Sequence, residues 1–244
     1  MKKIVDLHLN IVKLPVPILR HPDWAEVKYP KNFTERDFIY KFKQNLQSIK
    51  KFAETEKVKQ MKVAVNPDWD KLANIGLNKT VYYVTIKPSE LQNLHTIDAQ
   101  VSNISEPNKI KQLIKEQFIY HCKYNPAYFT CETIKRTDWF IDLTRKNIKQ
   151  KIGFILAARY ENQNAGFIYG ELYQEEGCID ELFIREEFRR KGLGKLLLKR
   201  ASEQFKKMDI NIISAFVGVK EESLGFYEKI GFKKEFANWI INLD

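Results

Sequence analysis

The 244-residue chain has 44% hydrophobic and 13% aromatic residues, a composition typical of a globular protein and not of a disordered one. Lys and Arg exceed Asp and Glu by 41 to 31, and the net charge of +10 favours a polyanionic partner such as nucleic acid, an acidic membrane or a phosphorylated cofactor. No apolar run of about 18 residues occurs, which excludes a membrane-spanning helix. Cys122, Cys131 and Cys178 have no paired spacing, so we expect no metal site, buried thiols and a cytoplasmic location.

The first part of the chain predicts a small α/β domain. Alternating apolar residues predict a strand within 2–14, and a Pro-rich extended segment follows to Trp24. Thr34 with Asp37 three residues later predicts the start of a helix. Its apolar stripe consists of Phe38, Phe42, Leu46, Ile49 and Phe52. Further along, the pattern predicts strands at 61–65 and 80–87, a short helix within 66–76, and a polar connection after Pro88.

The rest of the chain predicts a larger domain. We place the boundary so that residues 1–91 form the first domain and residues 92–244 the second. The element order of the second domain is β-α-α-β-β-β-α-β-α-β, a mixed α/β sheet protein. Its predicted strands are 97–101, 153–160, 165–173, 178–184, 212–217 and 239–243, and its helices lie near 110–118, 130–149, 193–207 and 223–230.

Two segments of the chain echo one another. Residues 71–87 and 226–242 both read as a short helix, an Ile-Gly-apolar step, a polar pair and a strand. Leu72 falls where Tyr227 stands in the second copy. A repeated unit of this length indicates that the first domain is a degenerate partial copy of the second.

A glycine-containing segment, R-R-K-G-L-G-K at residues 189–195, follows a predicted strand and opens a leucine-rich helix. The first amide groups of a helix have no partner within it and carry the positive end of its dipole, so a phosphate fits there. The segment lacks the third glycine of a dinucleotide fingerprint and the Gly-Lys-Ser/Thr ending of a P-loop. A plain strand-to-helix turn with solvated cations is the alternative interpretation.

The same segment resembles motif A of the GCN5-related N-acetyltransferases, which reads Gln or Arg, two variable residues, Gly, one variable residue, and Gly or Ala. Arg189, Gly192 and Gly194 match its fixed positions. F-Y-E-K-I-G-F at 226–232 resembles the second signature of that family. The resemblance implies the GNAT fold, in which the parallel strands 178–184 and 212–217 splay apart, and it implies acetyl-CoA as co-substrate.

The resemblance also implies a binding site for acetyl-CoA. The pantetheine arm would pair with the strand at Leu182, Phe183 and Ile184, as if it were an additional strand. The pyrophosphate would lie on the main-chain amides at the start of the helix. That set comprises Arg189, Arg190, Lys191, Gly192, Leu193, Gly194 and Lys195.

The catalytic residues that the resemblance implies are an acid and a base. Tyr227 matches the tyrosine that protonates the leaving thiolate, with a packing role on an amphipathic helix as the alternative. Asp180 and Glu181 are the candidate bases, with solvent-facing strand carboxylates as the alternative. Many relatives have an acidic residue at position 178, where this chain has Cys178. At most one of the two carboxylates faces the cleft unless a bulge intervenes.

These residues predict an N-acetyltransferase that acts on a primary amine of a small molecule by direct attack, with no metal. A protein or peptide acceptor and a non-catalytic acyl-CoA-binding module remain open as alternatives. We expect neither a nucleic-acid nor a membrane partner, and a monomer or homodimer. The segment H-C-K-Y-N-P-A-Y-F at 121–129 is expected in the acceptor region.

Overall fold

The computed structural model describes residues 10–13, 24–28, 34–56, 60–124, 133–173, 175–219 and 222–242. The chain divides into a first unit within residues 1–83 and 234–244 and a second unit within residues 84–233. The α-helices are α1 (Glu35–Glu56), α2 (Pro88–Gln92), α3 (Lys111–Tyr124), α4 (Thr133–Lys149), α5 (Leu193–Lys207) and α6 (Ser223–Ile230). The strands are β1 (Asn10–Lys13), β2 (Trp24–Lys28), β3 (Gln60–Val65), β4 (Asn78–Ile86), β5 (Gln100–Asn103), β6 (Gly153–Tyr160), β7 (Gln163–Tyr173), β8 (Glu176–Ile184), β9 (Ile213–Gly218) and β10 (Lys233–Asn242).

The first unit is a sheet covered by α1. Its strand order is β1-β2-β3-β10-β4, and β3 pairs antiparallel with β10 from Val65 opposite Ala237 to Gln60 opposite Asn242. The predicted α1 is confirmed, because Asp37 accepts hydrogen bonds from the Thr34 amide at 3.0 Å and from the Thr34 hydroxyl at 2.6 Å. The buried core contains Phe38, Phe42, Ile49, Val63, Val65, Leu72, Leu77, Ala237 and Trp239.

Three sequence predictions differ clearly from the structure. Residues after Pro88 form the short helix α2 and not a polar connection, because Pro lacks only an N–H that the first helical turn leaves unpaired anyway. The strand expected at 97–101 begins at Gln100, where pairing with Arg159 of β6 starts. The last strand begins at Lys233, six residues before the apolar run that predicted it. Its early part is polar and carries little hydrophobic signal.

The second unit is a mixed sheet, as predicted, and helices cover both of its faces. Its strand order is β9-β8-β7-β6-β5, with β8 and β9 parallel and the other neighbours antiparallel. One face packs against α3 and α4 through a cluster that includes Phe118, Phe140 and Phe167. On α5, the buried ring of Phe205 lies 4.9 Å from that of Phe154. Phe154 neighbours Ile155 of the α3/α4 cluster along β6, so α5 covers the opposite face.

The two parallel strands separate part-way along their length. Their register comprises Gly177 opposite Ile213, Cys178 opposite Ser214 and Ile179 opposite Ala215, and it ends there. Strand β8 continues to Ile184 and β9 to Gly218. This geometry confirms the predicted splay. The ends of both strands therefore present backbone groups that a ligand can pair with.

A β-bulge lies at the same point of β8. Tyr169 of β7 stands opposite Glu181, but the next residue, Gly170, stands opposite Ile179. Asp180 is thus the additional residue of the bulge. A bulge re-aims the side chains around it, which is the condition under which two successive carboxylates can both reach functional surroundings.

Candidate active site

A cavity of about 570 Å³ lies in the second unit between the end of β8, the start of α5 and α6. Leu182, Phe183 and Ile184 line it from β8. Tyr227 and Phe226 line it from α6. The sequence-predicted strand edge and the predicted catalytic tyrosine are therefore parts of one cavity.

The start of α5 forms another wall of the cavity. Gly192, Leu193, Gly194 and Lys195 line it together with Arg189 and Arg190. Gly192 has φ of 90°, a left-handed conformation that side chains disfavour, and its carbonyl accepts the first helical hydrogen bond from Leu196 at 3.1 Å. The amides that precede Leu196 have no helical acceptor. They form a positive helix end at the cavity wall.

The second glycine of the motif accommodates a ring. A Cβ atom built on Gly194 would lie 2.9 Å from the Phe226 ring, well inside normal contact distance. The missing side chain at Gly194 thus lets α6 approach α5. Close packing between α5 and α6 is therefore one reason for a glycine at this position of the helix.

The three consecutive cations of the motif have different environments. The Arg189 Nε donates to the Ile184 carbonyl at 3.1 Å, and its guanidinium lies 4.5 Å from the Tyr120 ring centroid. Arg190 is 86% exposed and lies 3.7 Å from Glu222, a surface pair worth little energy. The Lys191 amino group lies over the Tyr160 ring at 4.9 Å, and Lys191 is outside the cavity lining. Arg189 thus lines the cavity with both a hydrogen bond to β8 and a ring contact to α3.

Tyr227 packs and lines the cavity at the same time. It is 6% exposed, and its ring makes edge contacts with Phe226 at 5.4 Å and with Phe232 at 4.9 Å. The aromatic neighbours hold the ring in one orientation. The packing alternative and the catalytic prediction for Tyr227 are therefore compatible.

The two candidate bases have different surroundings. Glu181 is 4% exposed, accepts a hydrogen bond from the Gln117 side-chain amide, and lies 3.2 Å from the His121 Nε2 atom. Gln117 and His121 both line the cavity, although Glu181 itself does not. Glu181 thus connects to the cavity through two side chains of α3.

Asp180 is not among the residues that line the cavity. Its charge instead affects the pKa of the buried Tyr169. Burial raises the pKa of Tyr169, and the charges of Glu171 and Asp180 raise it further. The Tyr169 hydroxyl donates to Glu171, and the Asn147 amide donates to the Tyr169 oxygen at 2.8 Å. Tyr169 therefore stays protonated and is a hydrogen-bond donor at neutral pH.

The sequence reasoning did not single out Gln117, His95 or Phe226, and it quoted His121 only as part of the acceptor segment. Gln117 and His121 lie one helical turn apart on α3. Polar side chains on the otherwise apolar face of a helix are the signal that could have revealed them. Residues 125–129 of the acceptor segment lie outside the described residues.

Residues 128–238 match the family model described as an acetyltransferase (GNAT) domain. This part of the chain is similar to the acetyltransferases of the GNAT family. The matched range contains both signatures, the splayed strands and Tyr227. Over the residues that the structure describes, no group of acidic, histidine and cysteine side chains could hold a metal ion, and no helix is long and apolar enough to cross a membrane.

Two relatives and one solved structure extend this likeness. An uncharacterized N-acetyltransferase of Methanocaldococcus jannaschii is 34% identical over 63 residues, which are 25% of this chain and 28% of the relative. An L-ornithine N5-acetyltransferase of Arabidopsis thaliana is 33% identical over 82 residues, or 31% of this chain and 36% of the relative. The alignments thus span about a third of those proteins.

A tandem GNAT protein from the clavulanic acid biosynthesis pathway is similar in structure, with a TM-score of 0.56 and 12% sequence identity. The match covers 91% of this chain and 76% of that one. At this identity the likeness is one of fold. The likeness of fold extends over most of the chain.

Proposed function

We propose that this protein is an acetyl-CoA-dependent N-acetyltransferase that transfers acetyl to a primary amine of a small molecule by direct attack. The observation that carries the proposal is a single cavity that joins the edge of the splayed strand, the positive end of α5 and Tyr227. A cofactor with a diphosphate and an amide-bearing arm needs the first two features, and a leaving thiolate needs the third.

The residues of the cavity fit acetyl-CoA. The backbone edge at Leu182–Ile184 would pair with the amides of the pantetheine arm. The amides of Gly192 to Lys195 would hold the pyrophosphate, with Arg189 and Arg190 supplying positive charge. Arg189 is already positioned by its bond to the Ile184 carbonyl. Lys191 is assigned a weaker electrostatic role, because its side chain lies on Tyr160.

The reaction needs a neutral amine, an electrophilic thioester and a proton for the leaving sulfur. Tyr227 is proposed to give its phenolic proton to the thiolate, since a phenol and a thiol have similar proton affinities. Glu181 is proposed as the carboxylate of the base system. Asp180 is the less favoured candidate, because it lies at the bulge and outside the cavity lining.

A small-molecule acceptor is favoured over a peptide by the available room. The cavity of about 570 Å³ has to hold the acetyl-bearing end of the cofactor together with the amine. The ornithine acetyltransferase of A. thaliana, a partial relative, also acts on a small amine, as its name states. The predicted cytoplasmic location and the monomeric or homodimeric state stay predictions.

The test is release of free thiol from acetyl-CoA with a panel of primary amines. We expect turnover with at least one amine, and a fall of about 10²-fold or more in kcat for Tyr227→Phe, with the KM for acetyl-CoA nearly unchanged. Tyr173→Phe is the matched control, since Tyr173 is an exposed tyrosine of β7. Full activity of Tyr227→Phe would refute the acid role. Tight acetyl-CoA binding without turnover on any amine would identify a non-catalytic acyl-CoA-binding module.

A further inference from the structure

We infer that the end of the cavity formed by Gln117, His121 and Glu181 is the amine seat, where Gln117 binds the acceptor nitrogen and the His121–Glu181 pair removes its proton. The inference rests on the proposed function and names residues that do the base chemistry of that site. Three observations carry it, and they concern an unsatisfied oxygen, a buried carboxylate and the distribution of charge along the cavity.

The first observation is an unsatisfied acceptor atom. Gln117 is 1% exposed and lines the cavity, and its Oε1 atom is buried and accepts no hydrogen bond from the residues that the structure describes. A buried polar atom without a hydrogen-bond partner destabilises the folded protein. An ammonium or amine N–H of a bound acceptor would satisfy this oxygen. The Nε2 side of the same amide is occupied, because it donates to Glu181.

The second observation is the pairing of Glu181 with His121. A carboxylate buried to this degree requires donors, and Glu181 has the Gln117 amide and the His121 Nε2 at 3.2 Å. Because a carboxylate only accepts, the chemistry places the Nε2 hydrogen between His121 and Glu181 and makes Nδ1 the basic nitrogen. A carboxylate that orients an imidazole and stabilises its protonated form is the arrangement of histidine bases in general.

The third observation is that the cavity is polarised. Arg189, Lys195 and the start of α5 make one wall positive, whereas α3 contributes the polar side chains of Gln117 and His121 to the same cavity, with Glu181 buried behind them. An anionic cofactor would therefore bind at the positive wall, and a cationic acceptor would bind near the α3 side chains. The other titratable groups that line the cavity are His95, Arg190, Glu222, Tyr227 and Tyr120, on which the Arg189 guanidinium lies.

The proton and electron balance of the step is complete. His121 takes one proton from the ammonium, and the freed nitrogen pair forms the C–N bond at the acetyl carbon while the C–S bond breaks. The sulfur takes the phenolic proton of Tyr227, and the second proton lost by nitrogen returns to the Tyr227 oxygen through water. The imidazolium then releases its proton to solvent. Glu181 holds His121 in place and transfers nothing, so it is a positioning residue.

The experiment measures steady-state kinetics and amine binding for the 244-residue chain. We expect His121→Gln and Glu181→Gln to lower kcat/KM for the amine by about 10²-fold while acetyl-CoA binding stays within about twofold. In wild type the acid-side limb of the kcat/KM profile reports the proton acceptor, and this limb should disappear in His121→Gln. Gln117→Met should raise the KM for the amine by about tenfold or more, with a smaller effect on kcat.

A matched control and a second readout keep the outcomes separate. Asp142→Asn removes an exposed carboxylate of α4 that pairs with Arg145, and it should leave all constants unchanged. The ¹⁵N signals of the His121 imidazole, followed during titration with 1,4-diaminobutane in the presence of CoA, should shift in wild type and not in Gln117→Met. Thermal melting checks that each variant folds.

Each outcome decides between the two hypotheses. If His121 responds to 1,4-diaminobutane but no amine is acetylated, the amine seat stands and the transferase proposal fails. If wild type acetylates amines while His121→Gln and Glu181→Gln stay within about threefold of it, the transferase proposal stands and the amine seat is refuted. Equal loss of acetyl-CoA binding in both variants would also refute it, because the pair would then serve the cofactor.

Discussion

The segments 71–87 and 226–242 use one backbone device in two settings. Each has a short helix ending at a glycine in the left-handed conformation, Gly76 with φ of 82° and Gly231 with φ of 109°. The next amide then bonds back to the helix, from Leu77 to the Leu72 carbonyl at 3.3 Å and from Phe232 to the Tyr227 carbonyl at 3.1 Å. Leu72 and Tyr227 therefore occupy equivalent positions in the two units.

The side chains at these equivalent positions have different surroundings. Leu72 is fully buried and belongs to the hydrophobic core of the first unit. Tyr227 has a similar degree of burial but lines the cavity of the second unit. Local sequence therefore specifies the helix, the glycine and the strand, whereas the neighbours on other elements determine whether the position is core or site. That the first domain is a degenerate copy of the second stays a prediction.

Of the substitutions that distinguish the core position Leu72 from the cavity position Tyr227, we expect Leu72→Ala to have the largest effect on stability. Leu72→Ala should lower the free energy of unfolding by about 3 kcal/mol, because it leaves a cavity in a closed core. Acetyl-CoA binding by the folded fraction should be unchanged. Chemical denaturation measures the change, and Tyr40→Ala, at an exposed position of α1, is the control. If the free energy of unfolding fell by less than about 1 kcal/mol, Leu72 would not lie in a closed core, and the contrast with Tyr227 would be lost.

A smaller effect is expected at the two glycines. Gly76→Ala and Gly231→Ala should each destabilise by about 1–2 kcal/mol, because alanine is strained at their positive φ values. A Cβ on Gly231 would lie 3.7 Å from Ile86, an ordinary contact distance. The expected destabilisation therefore comes from backbone strain at the positive φ and not from a steric clash. Only Gly231→Ala should also lower kcat, several-fold, because the Phe232–Tyr227 bond next to it orients the tyrosine.

Gly225 provides the control for these variants. A Cβ at Gly225, inside α6, meets nothing within 4 Å, so Gly225→Ala should stabilise the protein by up to about 1 kcal/mol. Thermal unfolding and thiol release measure both properties on the same samples. Equal kinetic losses in Gly76→Ala and Gly231→Ala would remove the distinction between the two settings.

The smallest effect concerns a lysine in each segment, Lys79 and Lys234, which lie over the Tyr82 ring at 5.3 Å and 4.8 Å. Burial lowers the pKa of Lys79, but its bonds to Asp70 and Tyr82 outweigh this and raise the pKa above its ordinary value of 10.5. Lys79→Met should therefore cost about 1 kcal/mol at neutral pH. Lys234→Met should cost less, because Lys234 is exposed.

The pH dependence of this loss has a definite sign. Because the pKa of Lys79 is raised in the folded state, the charged lysine stabilises the folded protein fully below pH 10.5. This stabilisation disappears as the pH rises through the folded-state pKa of Lys79. The difference between wild type and Lys79→Met should thus be constant from pH 7 to 10 and shrink above 10.5. Urea denaturation across this range measures it. A difference that grows with pH would contradict the assignment.

Much of the fold could be read from local patterns. The Thr34–Asp37 cap, the stripe of α1, the helix α6 and the order of elements in the second unit follow from spacing alone, because each depends on residues within a few positions. The short helix α2 was missed because Pro88 is equally compatible with a strand end and a helix start. The early part of β10 was missed because most of its residues are polar, with Lys233, Lys234 and Glu235 at its start.

The site was partly predictable for the same reason. The cavity includes most of the residues predicted from the two signatures, since each signature is contiguous in sequence. Gln117, His121 and the separation of Glu181 from Asp180 could not be found in this way. They depend on the bulge at Asp180 and on the packing of α3 beside β8, which are relations between distant parts of the chain.

By itself, the sequence determined the helix caps, the left-handed glycines and the family signatures of this protein, because these are short-range properties of bonded neighbours. The tertiary structure decided that β8 and β9 part after Ile179, that Gly194 receives the Phe226 ring, and that Glu181 is buried against His121. Such contacts arise between residues tens of positions apart, where burial and hydrogen bonding outweigh any local preference.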